Sequence, residues 1–227
     1  LPDPDPLFTR DGPEPAVARD GRILLRIRNG WRALFNESGT LQMLDCDGTM
    51  IRLGVAPVIV GSAAWRNFGV SDAKHALNSD GSVAFSGRRT DNSAALAYTI
   101  SALPLDNGVK LSFSLAAQTD FHLHAMRIQV DFPCSVFSEG RAQTVDQDIL
   151  LPAEKKKSAW MADDFTSMLV TTRDAKIALR VETSKNAVLR DERVYGGASY
   201  KLSLEFPGGD RKAGEQWSAE ITIRSGK

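Results

Sequence analysis

Val109-Lys110-Leu111-Ser112-Phe113-Ser114-Leu115 decides the fold class of this chain. Four apolar side chains alternate with three polar ones without a break, the period of a strand that turns one face to a core. The same rhythm appears on both sides of it. Ile23, Leu25 and Ile27 stand between arginines, and Ile51, Leu53 and Val55 repeat the spacing. Leu96, Tyr98 and Ile100 follow it, then Ile177, Leu179 and Val181. Tyr200, Leu202, Leu204 and Phe206 alternate with Lys201, Ser203 and Glu205, and Trp217, Ala219, Ile221 and Ile223 close the series. Asn29-Gly30, Ser38-Gly39, Asp47-Gly48, Asp80-Gly81, Asn107-Gly108 and Gly196-Gly197 separate these runs, and such pairs favour the positive φ of tight hairpins. Consecutive strands are therefore expected to pair antiparallel. The single helical stretch expected is short, Ser71 to Leu77 with Ser71 as its cap, and nothing is long enough to cross over between parallel strands. The expected fold is all-β, a large antiparallel two-sheet β-sandwich with at most short helices. Residues 1–19 read as an extended Pro/Asp-rich segment, and 20–227 as a single sandwich domain.

Composition narrows the function. Lys plus Arg and Asp plus Glu both number 28, so no net field draws the chain to a phosphate backbone, and a nucleic-acid partner is not expected. Lys155, Lys156 and Lys157 are the only basic cluster and read as a solvated turn. No apolar run approaches the roughly 20 residues of a membrane-spanning helix. Leu1 to Pro15 holds five of the ten prolines beside Asp3, Asp5, Asp11 and Glu14. That start reads as the extended beginning of a processed or trimmed chain, and an extracytoplasmic setting, periplasmic or secreted, is expected with it. Cys46 and Cys134 permit one disulfide, which would stabilise by about 4–5 kcal/mol on the loop-closure model. Two separately buried thiols are the alternative.

Several strings carry chemistry only in the right context. Asp45-Cys46-Asp47-Gly48-Thr49 resembles the D-x-D-G-T signature of haloacid-dehalogenase-type phosphatases, and Lys155 to Lys157 with Asp163-Asp164 resembles that family's later lysine and acidic pair. Those motifs need a doubly wound parallel sheet, whereas hairpins surround them here, so Asp47-Gly48 reads as a turn. His122 and His124 sit two apart in a strand-like run and point to one face, which continues through Met126, Ile128, Val130 and Phe132. A metal would need a third ligand that the run does not supply, so neither a metal nor another cofactor is expected. His75 lies in the short helical insertion. Asp163 and Asp164, being neighbours, would point to opposite faces of an extended strand and make no catalytic pair alone. Trp160 to Phe165 does combine an aromatic platform with acids, as a sugar face and its hydroxyls require, and Trp65-Arg66-Asn67 is a second such mix.

Arg26 to Trp31, Phe35, Gly39 to Leu44 and the Asp47-Gly48 turn look like the first strands of galactose-mutarotase-like super-sandwich domains. Val83 to Gly87, Tyr98 to Ser101, Val109 to Ala117 and His122 to Pro133 are similar to that fold's long central strands, and Lys212 to Trp217 resembles the turn into its last one. The resemblance implies a carbohydrate-active setting, with histidines and an acid working on a concave sheet in the mutarotases. The Asn-His and His-x-Tyr strings associated with those enzymes are absent, and many homologous modules in glycoside hydrolases are accessory. The leading reading is thus a non-catalytic carbohydrate-associated module, part of or partner to a glycoside hydrolase, with carbohydrate or a neighbouring glycan-processing domain as its partner. Its groove would be lined by some of Trp65, Arg66, His75, His122, His124, Arg127, Trp160, Asp163 and Asp164. Two alternatives stay open: a sugar-modifying enzyme with His122 or His124 as general base, and a purely structural interaction domain.

Overall fold

Alternation obliges each strand to hide one face, and tight turns lay neighbours side by side, so the chain folds as a succession of hairpins. In this computed structural model residues 15–18, 20–28, 30–46, 48–61, 67–92 and 94–226 are described. Eighteen strands lie among them. The first six are β1 (Ala16–Val17), β2 (Ile23–Arg26), β3 (Arg32–Phe35), β4 (Leu41–Cys46), β5 (Thr49–Ile51) and β6 (Gly54–Gly61). β7 (Gly69–Leu77), β8 (Val83–Asp91), β9 (Ala94–Leu105), β10 (Gly108–Ala117) and β11 (Phe121–Pro133) follow, ending in a one-turn helix α1 (Cys134–Phe137). β12 (Arg141–Gln143), β13 (Asp148–Leu150), β14 (Trp160–Thr171) and β15 (Ala178–Asp191) lead to a 3-10 turn, Glu192–Tyr195. β16 (Ser199–Phe206), β17 (Gly209–Arg211) and β18 (Gln216–Ser225) complete the chain.

The antiparallel pairings sort these strands into two layers. Layer one runs β1-β2-β3-β4-β6-β11-β16, then the second half of β15 and the first half of β14. Layer two runs β7-β8-β9-β10-β18, then the first half of β15, the second half of β14, β12 and β13. β15 leaves β18 after Thr183 and joins β16 at Ala187, so Ser184, Lys185 and Asn186 mark the place where it changes layer. Strands that switch sheets in this way make the corners of a sandwich.

The core fills the space between the layers. Val109, Leu111, Phe113 and Leu115 of β10 and Leu123, Met126, Ile128, Val130 and Phe132 of β11 are all buried in it. Phe35 of β3 and Phe85 of β8 meet across the layers with ring centroids 5.4 Å apart. Each fully buried Leu or Phe stabilises by about 1.5–3 kcal/mol relative to exposure, which makes the period-two pattern the main determinant of the fold. The all-β antiparallel sandwich expected from the sequence is the observed fold.

Several local expectations need correction. Ser71 to Leu77 is no helix: it lies within β7, bonded to β8, and a bulge at Asp72, whose φ is 53°, breaks the period-two alternation that would have marked it as a strand. Ile51, Leu53 and Val55 do not form one strand, because Leu53 N–H turns back to the Ile51 carbonyl between β5 and β6. Of the two readings open for the cysteines, the separate thiols hold: Cys46 is buried beside Trp31 and Ile177, Cys134 lies near Tyr200 and Arg193, and no disulfide joins them. Burial pushes the Cys134 thiol pKa up, which leaves it protonated and unreactive at neutral pH. Cys46 pairs with Thr49 and Gly48 has φ 84°, so β4 and β5 form a hairpin where the phosphatase-like string stands; Asp47 itself lies outside the described residues. Among the described residues no helix is long and apolar enough to cross a membrane.

Candidate functional site

Residues between the inward side chains of layer one form its outer face. On β11 these are Arg127, Gln129 and Asp131; on β16, Lys201, Ser203 and Glu205. Register places Arg127 opposite Glu205, Gln129 opposite Ser203 and Asp131 opposite Lys201. Val188 and Arg190 of β15 continue the rows, since Val188 pairs with Ser203 and Arg190 with Lys201. Trp160 of β14 pairs with Arg190 and ends the row.

Opposite charges interleave across these strands. Arg190 Nη1 lies 2.7 Å from Glu205 Oε1, and Arg127 Nε lies 3.8 Å from the same oxygen. Lys201 Nζ lies 3.9 Å from Asp131 Oδ1 and 3.7 Å from Glu192 Oε2 of the 3-10 turn. The Arg190 guanidinium stands 4.4 Å from the centroid of the Trp160 ring, a cation–π contact, and half of that ring remains exposed. Burial raises the Asp131 pKa; Lys201 opposes the shift and Glu192 adds to it. Gly54 of β6 faces this carboxyl, and a Cβ there would lie 3.2 Å from Asp131 Oδ2, so the missing side chain makes the room Asp131 occupies.

A buried network holds the Trp160 end of the face. Asp191 is 1% exposed and receives Arg193 through Nε at 2.9 Å and Nη2 at 2.8 Å. Burial pushes the Asp191 pKa up, but the hydrogen bonds from the Arg193 side chain and backbone outweigh it and hold the carboxyl below its ordinary value. Arg193 also donates to the carbonyls of Pro152 and Ala153, and the Tyr200 hydroxyl donates to Pro152. Asp191 N–H donates to the Ala159 carbonyl at 2.8 Å. The segment leading into Trp160 is thereby fastened to the 3-10 turn that presents Glu192.

The residues singled out from the sequence separate into groups. Arg127 and Trp160 stand on this face. Asp163 and Asp164 do too, against the expectation that they diverge. The two oppose Val188 in a bulge between inward Ala162 and inward Phe165, and both carboxylates are exposed; Asp164, at φ 58°, accepts from the Asn186 side chain. His122 and His124 are exposed at the far end of β11, on the opposite side from Met126, Ile128, Val130 and Phe132. A bulge between Leu123 and Ala125 inserts one residue and reverses the parity that sequence counting assumed. His122 Nδ1 lies 2.7 Å from Asp210 Oδ1 of β17. His75 is in β7, at the far edge of layer two, and does not join the others. Trp65 and Arg66 lie outside the described residues. Asp131, Gln129, Arg190, Glu192, Lys201, Ser203 and Glu205 escaped sequence reading, although the polar positions of the Tyr200 to Phe206 alternation already marked three of them as facing away from the core. Among the described residues no three His, Cys, Asp or Glu side chains gather as a metal site would require.

No protein-family model matches the sequence, and no curated protein matches it. Solved structures do match in fold. The 4-alpha-glucanotransferase of Thermococcus litoralis superposes with a TM-score of 0.65 at 8% identity, over 95% of this chain and 40% of that one. A galactose mutarotase-like protein of Clostridium acetobutylicum gives 0.56 at 11% identity, over 89% and 94% of the two chains. A galactose mutarotase related enzyme of Lactobacillus acidophilus gives 0.56 at 7% identity, over 87% and 95%. The chain therefore has the galactose-mutarotase-like sandwich fold that its strand order resembled.

Proposed function

We propose that this chain is a non-catalytic carbohydrate-binding module that works with a glycan-processing domain or enzyme, and that the outer face of layer one is its binding face. The observation that carries the reading is Trp160: 53% exposed, on a sheet face where Arg127, Asp131, Arg190, Lys201 and Glu205 stand in cross-strand ion pairs. An aromatic ring offers an apolar platform to the C–H face of a pyranose, while carboxylates, guanidinium and ammonium groups meet its hydroxyls. Support also comes from the shared fold. Its relatives are carbohydrate-active by name, and in the glucanotransferase the matched region is 40% of a longer chain.

Titration of the purified chain with a panel of mono- and polysaccharides, followed by tryptophan fluorescence and calorimetry, tests this. Binding without turnover, weakened at least tenfold in Trp160→Ala, is the expected result. No response to any sugar would reject it.

One observation favours the enzyme reading. His122 has an acid partner, Asp210, at 2.7 Å, the arrangement that orients an imidazole for general-base work. Turnover that disappears in both His122→Ala and Asp210→Asn would put this reading in place of the first.

A further inference from the structure

Two buried polar atoms on the binding face lack a hydrogen-bond partner. Ser203 is 0% exposed, and its Oγ has none; Asp131 Oδ1 is likewise out of solvent and unpartnered. Ser203 stands between inward Leu202 and Leu204, and Asp131 between inward Val130 and Phe132, so both point outward. Register makes them diagonal neighbours in a patch of four with Gln129 and Lys201. Buried polar groups are almost always paired, and each exception calls for a physical reason. Lys201 Nζ is 3.9 Å from Asp131 and 3.7 Å from Glu192, beyond hydrogen-bond reach of either, and a separation of that width is one a bridging hydroxyl spans.

Gln129 and Val188 flank Ser203 on the two neighbouring strands, and Arg190 crosses the face beside it. Arg190 sits opposite Lys201, yet its guanidinium reaches Glu205, so the side chain runs along β16 past Ser203 and comes to rest against Trp160. Only 12% of it is exposed.

We infer that Ser203, Gln129, Asp131 and Lys201 are the floor of a monosaccharide site closed in this structure by the Arg190–Glu205 strap, and that a neutral pyranose enters by displacing Arg190. The inference rests on the carbohydrate reading of this face. Diagonal neighbours in adjacent strands are about 7–8 Å apart, which suits one sugar ring with its hydroxyls. The floor alternates donors and acceptors and carries one charge of each sign, which matches a neutral polyol better than a uronate or a sugar phosphate. Displaced from Trp160, the guanidinium frees the ring face that a pyranose stacks on.

The test compares wild type with Arg190→Gln, Ser203→Ala and Trp160→Ala by calorimetric titration with D-glucose, D-galactose, D-mannose and L-fucose, alongside thermal melts and acrylamide quenching of Trp160, isolated by subtracting a Trp160→Phe protein. Arg190→Gln is expected to bind at least threefold tighter and to show stronger quenching. Ser203→Ala is expected to bind at least fivefold weaker, with a melting temperature equal to or above wild type because it loses an unpartnered hydroxyl. Unchanged quenching in Arg190→Gln, or a lower melting temperature in Ser203→Ala, overturns the strap or the floor respectively. Sugar binding that Trp160→Ala abolishes and Arg190→Gln leaves unchanged or weaker overturns the inference while the carbohydrate reading stands. Absence of binding in every protein overturns both.

Discussion

The two outer faces of this sandwich are built from the same alternation, and both carry ion pairs across strands, Lys110 with Glu220 on layer two and Arg190 with Glu205 on layer one. Layer two presents Thr99, Ser101, Ser112, Ser114 and Ser218, which floor a depression of about 470 Å³ edged by Ser184 and Glu220. Layer one presents Arg127, Asp131, Arg190, Lys201 and Glu205, each reaching a neighbour on the next strand. Ser112 reaches the next strand through the length of its partner, donating to Glu220 Oε1 at 3.2 Å. On layer one the long charged side chains do the same: Arg190 reaches Glu205 at 2.7 Å, and Lys201 stands between Asp131 and Glu192. The exposed Trp160 beside these ion pairs, not the volume of a depression, singles out the candidate face.

The largest test of that contrast removes the support under the Trp160 end. Asp191→Ala leaves Arg193 without its bidentate partner and loosens the segment held at Pro152 and Ala153. Breaking a buried pair from one side costs about 3–5 kcal/mol. At about 2–4 °C per kcal/mol for a chain of this size, the melting temperature should fall by roughly 6–20 °C, with glycan binding lost as well. A fall of less than 2 °C in a thermal melt would mean that the network is not what anchors this end.

Trp160→Ala comes next and separates binding from stability. With half of the ring exposed, its removal should cost less than about 1 kcal/mol of folding stability while weakening glycan binding tenfold or more, a loss of about 1.4 kcal/mol. Equal losses in both measurements would make Trp160 a structural residue and level the two faces.

Sequence alone carried the fold a long way, because alternation and hairpin turns are local signals and burial follows from them directly. Val109 to Leu115 and Tyr200 to Phe206 behave as their spacing requires. Bulges are where the reading failed. One extra residue at His124 reversed the histidine face, and the insertion at Asp163-Asp164 turned both acids outward, yet neither sequence contains a glycine or proline to announce the irregularity. The site was less legible than the fold. Rare residue types drew attention to His122, His124 and Trp160, whereas Lys201, Ser203 and Glu205 gain meaning only from their register with Asp131, Gln129 and Arg127. Cross-strand register is a tertiary fact that no single strand encodes.

A pH comparison probes the charged face more gently. Because burial raises the Asp131 pKa, the folded state holds that proton more tightly than the unfolded chain does. Its contribution to stability is fully present below the unfolded value, near about 3.9, and is lost as pH rises through the folded value. Asp131→Asn should therefore melt higher than wild type at pH 7, with the difference shrinking to nothing near pH 3. A variant that melts lower at pH 7 would show the attraction of Lys201 outweighing burial.

The smallest effect belongs to the hydroxyl face. Ser114 is exposed on β10, and Ser101 is half-buried on the neighbouring β9. Surface substitutions away from buried networks stay within about 0.5 kcal/mol, so Ser101→Ala and Ser114→Ala, alone or together, should leave both the melting temperature and glycan affinity at wild-type values. A loss of glycan affinity in the double variant would move the binding face to layer two and overturn the premise that a sugar docks beside Trp160 on layer one.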